Sequence, residues 1–296
     1  MKTRMQLKIF FIPVVTLLFT LTAPAQQILR PAASPASVEE KDSEVKKIEQ
    51  TIKDVFRVKP RRPTVSRPAD FNEPGALQIE YGYNGYYHAR DFRAQDAGSL
   101  TVTFAATEQL GFEFDLDTVY SQKDAFTART TGVGDAHVGV QIDISSETKR
   151  FPSIAASYFA KLPTASVSKD LGTGRVDHQI SLLMSKTVGK TDFDFNAALL
   201  VNGKKGEKGS VKGGQFSFGF SRDLKRGFGV QGEFSGESKD ADDPQGLYAT
   251  GAVTYKLKSG TTFDFGLKFG LTPSFPRFGI TAGIAFKTIN LYKKRD

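Results

Sequence analysis

The chain has no cysteine, no tryptophan and three histidines in 296 residues, and it holds no run of about 20 apolar residues. The first absence excludes disulfides, thiolate metal sites and a lipidated N-terminal cysteine. The last, with 39% hydrophobic residues and a mean hydropathy of −0.29, excludes a helical membrane protein. His88, His137 and His178 lie far apart and none neighbours a serine in a nucleophile setting, so neither a Ser-His hydrolase nor a histidine metal centre is expected. Asp115 and Asp117 share a face at period two, but no loop has calcium-ligand spacing; no metal or cofactor is expected. Gly132-Val133-Gly134 and Gly172-Thr173-Gly174 do not open a helix after a strand, which argues against a nucleotide-phosphate cradle. Formal charge is +8, and without the leader bases Lys2, Arg4 and Lys8 it is +5, too small an excess to point to nucleic acid.

Those three bases precede the apolar run Ile9 to Leu21, and Ala23-Pro24-Ala25 supplies small residues for cleavage before Gln26. Residues 1–25 read as a signal peptide. In residues 26–75, Ser37-Val38-Glu39-Glu40 has capping-box spacing, and Val45, Ile48, Ile52 and Val55 follow at 3-4-3 spacing. A periplasmic helix from about Val38 to Phe56 is expected, with a narrow apolar stripe that could support self-association. The stretch Arg57 to Pro63, with Arg67-Pro68 and Pro74-Gly75, is basic and proline-rich, unable to donate the hydrogen bonds of a sheet. It reads as an extended, solvated linker.

From Ala76 to about residue 290 the pattern changes to period two. Leu77, Ile79, Tyr81 and Tyr83 alternate with Gln78, Glu80, Gly82 and Asn84; Leu110, Phe112, Phe114 and Leu116 alternate with Gly111, Glu113, Asp115 and Asp117. Twelve such segments follow one another, the last running Ile280, Ala282, Ile284, Phe286. Phe occurs 25 times, mostly on the apolar parity. A carboxylate at every second position opposite Phe makes sense with one face in lipid and one in water, because a charge facing hydrocarbon at mid-depth costs about 2 to 4 kcal/mol for a base and less for an acid. The links are alternately short (Thr107 to Gln109, Ser146 to Phe151, Gly189-Lys190, Asp223 to Arg226, Lys258 to Gly260) and long, except for a compact last outer link, Leu271 to Pro276. The fold class is all-β: a twelve-stranded antiparallel transmembrane barrel of the bacterial outer membrane, with termini and short turns in the periplasm.

Gly132-Val133-Gly134-Asp135, Leu162-Pro163-Thr164, Leu171-Gly172-Thr173-Gly174, Asp177, Asn196 and Asn202 resemble the outer-membrane group named for the MetA pathway of phenol degradation. The resemblance covers roughly Gly132 to Phe286 and leaves out the segment before Ala76. It implies uptake of small, aromatic among other, solutes. The chain departs by running ten residues past Phe286, where such barrels end on a terminal aromatic.

The inward parity carries the candidate site: Glu80, Glu113, Asp115, Asp117, Asp143, Asp194, Glu233 and Asp264 against Lys161, Lys256 and Lys268, with His137, Gln141 and Asn196 among them. Eight acids to three bases predicts a pore that favours cations and neutral polar solutes over anions. Twelve strands enclose little space, so the alternative is a barrel filled by its own paired charges, acting as an anchor whose N-terminal helix binds a partner or the cell wall. Expected partners are outer-membrane lipid, lipopolysaccharide reached by Lys204, Lys205, Lys208 and Lys212, and a small solute.

Overall fold

The computed structural model describes residues 61–70, 73–88, 93–123, 128–238 and 246–292. The leader and the helix expected over Val38 to Phe56 lie outside these residues. Thirteen strands follow in order: β1 (Ala76–Tyr87), β2 (Ala94–Ala105), β3 (Leu110–Lys123), β4 (Thr130–Gly132), β5 (Ala136–Ser145), β6 (Ser153–Leu162), β7 (Asp177–Val188), β8 (Thr191–Gly203), β9 (Ser210–Asp223), β10 (Phe228–Ser238), β11 (Gly246–Lys256), β12 (Thr262–Gly270) and β13 (Phe278–Asn290). The short β4 and β5 both pair with β3 and form one stave, interrupted at Val133 to Asp135. Every strand runs antiparallel to its neighbours, and β1 pairs with both β2 and β13. The sheet therefore closes as a twelve-stave barrel with no unpaired edge, as hydrocarbon demands of a backbone that must satisfy its own hydrogen bonds.

Burial is inverted relative to a water-soluble sandwich. Leu199 is 68% exposed, Ile180 58% and Phe265 50%, whereas Gln78 and Glu80 are 1% exposed. A single parity sets this along most of each strand. It shifts where β3 inserts Thr118, so that Gly98 faces Val119 while Ser99 faces Asp117. A bulge of this kind moves the inward set by one residue, and beyond it Tyr120 and Gln122 line the lumen.

Two details differ from the sequence reading. The strands extend past the lipid-facing runs, β2 beginning at Ala94 and β9 at Ser210, because ladder hydrogen bonds persist in water where apolar patterning stops. The last strand also does not close at Phe286: β13 continues to Asn290, Leu291 N–H donates to Gly75 C=O at 2.8 Å, and Tyr292 packs edge-on against Phe104 at 6.4 Å. An aromatic thus does seal the seam beside the first strands, six residues later than expected.

Candidate functional site in the barrel lumen

Residues 61–70, read from sequence as a solvated linker, lie inside the barrel. Pro63, Ser66 and Ala69, every third residue, are buried. Lacking a strand partner, the segment bonds to side chains of the wall. Backbone N–H groups of Arg61 and Arg62 donate to the Glu80 carboxylate at 3.0 and 3.2 Å. Val65 N–H, Ser66 N–H and Ser66 Oγ all donate to Glu233 Oε2, at 2.8, 2.6 and 2.7 Å. Asn196 clasps Arg67 from both sides of its backbone, accepting from its N–H at 2.6 Å and donating to its C=O at 2.9 Å. Gln141 donates to Pro68 C=O at 3.3 Å, and Ala69 N–H donates to Ser185 Oγ at 2.8 Å. Bonds to carboxylates are about twice as strong as neutral ones, which suits a chain with two prolines and few N–H groups to offer.

The three arginines supply what the inward carboxylates lacked. Arg61 pairs with Glu113, and Arg67 Nη2 lies 3.1 Å from Glu113 Oε1 and 3.9 Å from Asp115. Arg62 Nε lies 3.7 Å from Asp264 and its Nη2 donates to Thr281 Oγ1 at 2.7 Å. The Arg67 guanidinium also stacks 3.9 Å above the Phe159 ring, a cation–π contact strengthened by burial. Small wall residues leave the room: a Cβ on Gly82 would come 2.3 Å from Arg62 Cζ, one on Gly219 2.8 Å from Ser66 Oγ, and one on Gly139 2.1 Å from the Phe159 ring.

Most of the remaining inward residues also have partners. Asp117 accepts from Ser99 Oγ and Asp194 from Ser185 Oγ, each at 2.5 Å, and Asp143 accepts from Gln141 at 3.3 Å. Lys268 donates to Tyr86 O–H at 3.3 Å and lies over the Tyr86 and Tyr248 rings. His137 sits between Asp115 and Lys161 in register and lines the cavities on both sides of Phe159. All thirteen candidates therefore lie on the lumen side, where Arg61, Arg62, Ser66, Arg67 and Phe159 join them. The excess of eight inward acids over three bases was the sequence signal for missing cations, since unpaired buried charges are costly. With the segment in place the bases number six.

Toward the long loops the lumen widens into a vestibule of about 690 Å³. The loop from Pro163 to Val176 folds inward over it, held by a knot of bonds at its root. Thr164 Oγ1 accepts from Ala136 N–H at 2.8 Å and donates to Gly134 C=O at 3.1 Å. Asp135 accepts from Ala165 N–H at 2.9 Å, and Lys161 bridges Asp135 and Asp177 at 3.3 and 2.6 Å. A Cβ on Gly172 would come 2.9 Å from Asp135, and one on Gly134 2.7 Å from Asp117 Cβ, so both positions need glycine for close approach. The Gly132–Asp135, Leu162–Thr164, Leu171–Gly174 and Asp177 motifs thus meet at one place. A smaller space of about 370 Å³ surrounds the lumen segment, and one of about 130 Å³ lies toward the short turns.

The sequence profile of the family "Putative MetA-pathway of phenol degradation" matches residues 60–288. The chain belongs to this family. The match begins at the lumen segment, well before Gly132, so residues 61–75 are part of the family domain and the sequence motifs understated its reach. No curated protein sequence matches the chain. Among solved structures, the COG4313 outer membrane channel from Pseudomonas putida F1 is similar at 12% identity and a TM-score of 0.60, over 78% of this chain and 100% of that one. The NanC porin (10% identity, TM-score 0.48, 72% and 100% coverage) and the KdgM porin (8%, 0.48, 72% and 99%) are more distant. At such identities the first likeness is one of fold, and the phenol-degradation family assignment rests on the profile.

Proposed function

We propose that this phenol-degradation family barrel is an outer-membrane channel for passive entry of small solutes, its conductance limited by the segment 61–70. The carrying observation is space in a polar lumen: a vestibule of about 690 Å³ lies among the long loops, and it shares Asp117, His137 and Phe159 with the cavity of about 370 Å³ around the segment. A barrel serving as an anchor alone has no need of such a vestibule. The comparison with the Pseudomonas putida channel supports the same reading through its fold.

The favoured solutes are neutral or cationic and small, aromatic rings included. Vestibule carboxylates Asp117, Asp135, Asp170, Asp177 and Glu237 face Lys161 and Lys205, and Tyr120 and Phe159 offer ring faces. Acidic walls of low dielectric focus potential and raise the local cation concentration. The orientation expected from loop length puts the vestibule outside the cell and the short turns in the periplasm.

Planar-bilayer recording of the full chain tests this. Small, cation-biased currents are expected; anion selectivity would reject the solute class. Silence both in the full chain and after removal of residues 61–70 would leave the barrel as an anchor.

A further inference from the structure

The end of the barrel with the short turns carries an uneven collar of charge. Four turns, each joining neighbouring staves between β5 and β12, hold the exposed bases Lys149 and Arg150, Lys190, Lys225 and Arg226, and Lys258. None of these six is ion-paired with a described residue. Acids nearby are few: Glu147 is held by Lys186 at 2.9 Å, Asp192 accepts from Thr187 Oγ1 at 2.7 Å, and Asp223 is a single carboxylate at the end of β9. The remaining short turn, between β2 and β3, has Glu108 and no base. Among the described residues the charge therefore forms an arc that follows the rim from β5 to β12.

The same four turns expose apolar side chains between the bases: Phe151 at 70%, Val188 at 60%, Leu224 at 49%, Phe228 at 53% and Leu257 at 39%. Large apolar groups beside free Lys and Arg are costly in water but fit the boundary of a bilayer. There the apolar groups reach acyl chains, and the long basic side chains extend to the headgroups. A solvated rim would account for the bases but not for the alternation.

We infer that this arc binds the phosphates of anionic phospholipid in the leaflet facing the short turns. Charge complementarity selects the occupant, since each Lys or Arg close to an anionic surface strengthens attachment about fivefold at low screening, and salt weakens it. The arc would hold a shell of acidic lipid along the staves from β5 to β12 and fix the depth and tilt of the barrel. The inference needs a membrane-embedded barrel but no conduction, so bilayer recording and lipid analysis fail independently.

The test reconstitutes the full chain in nanodiscs of equimolar phosphatidylethanolamine and phosphatidylglycerol and reads the retained lipids by native mass spectrometry. The wild type should retain phosphatidylglycerol above the bulk ratio. A variant carrying Lys149→Gln, Arg150→Gln, Lys190→Gln, Lys225→Gln, Arg226→Asn and Lys258→Gln should fall to that ratio. Asparagine is chosen at 226 because φ is +62° there. A shift between boiled and unboiled gel samples establishes that the variant folds; if it does not, the pair Lys225→Gln/Arg226→Asn should still show partial loss. Retention at the bulk ratio in the wild type, or undiminished enrichment in the variant, overturns the inference. So does loss of enrichment on replacing Lys204, Lys208 and Lys212 at the opposite rim, or wild-type binding to isolated cell-wall sacculi without lipid enrichment.

Discussion

Glu113 receives two guanidinium groups, from Arg61 and Arg67, with its side chain 5% exposed. Removing one partner of a buried pair costs about 3 to 5 kcal/mol, and the lower end applies here because Arg67 keeps access to water. Glu113→Gln should therefore loosen the segment by about 3 kcal/mol, roughly a hundredfold in the ratio of unseated to seated states. Single-channel recording should show longer or larger openings, and unchanged open time would remove Glu113 from the clamp. Gly82→Val tests the same contact sterically, because its Cβ would occupy the place of Arg62 Cζ. Higher conductance with an unchanged gel shift is expected, whereas loss of the barrel would mean that Gly82 serves the strand instead. None of the three arginines was recognisable as a lumen residue from its neighbours: a basic, proline-rich stretch has the same composition solvated or enclosed.

Element by element, the alternation was legible and the interruptions were not. The inserted Thr118 moves the lumen set of β3 from Asp117 to Tyr120 and Gln122, a shift that depends on the partner strand's register and leaves no local mark. The turn between β5 and β6 is tethered similarly. Glu147 accepts from Lys186 and from the Thr187 N–H at 3.1 Å, and the Lys186 hydrogen bond, with that N–H, holds its carboxyl below the ordinary carboxylate range. A depressed folded pKa means the tether contributes fully above the unfolded carboxylate value and is lost as pH falls through the lower, folded one. Protection of the Thr187 amide against hydrogen exchange should be steady at neutral pH and decline below the ordinary carboxylate range. A decline already present at neutral pH would show that Glu147 does not hold the turn.

At the scale of the whole molecule, the proposed channel function makes selectivity a joint property of the barrel and its internal segment. Deleting residues 61–70 removes Arg61, Arg62, Arg67 and Asp70, a net loss of two positive charges beside the inward carboxylates that those arginines pair with. Conductance and cation preference should both rise, read as a larger shift in reversal potential across a salt gradient. A larger current with unchanged selectivity would mean that the vestibule, not the mid-lumen carboxylates, discriminates among ions. Inward charges pair within the wall, as Lys161 does with Asp135 and Asp177, and also with the three added bases, Arg61, Arg62 and Arg67, which all come from the chain ahead of β1.

Sequence alone determined the twelve staves, their two faces and the alternation of short turns with long loops, because lipid and water impose those patterns residue by residue. Only the tertiary structure decided that residues 61–70 enter the lumen, that the family motifs meet at the root of the Pro163 to Val176 loop, and that β13 runs on to Asn290. Each of these depends on pairing between positions distant in the chain. A carboxylate's need for a cation is written at its own position, but which cation answers it depends on the enclosed space that the closed sheet creates.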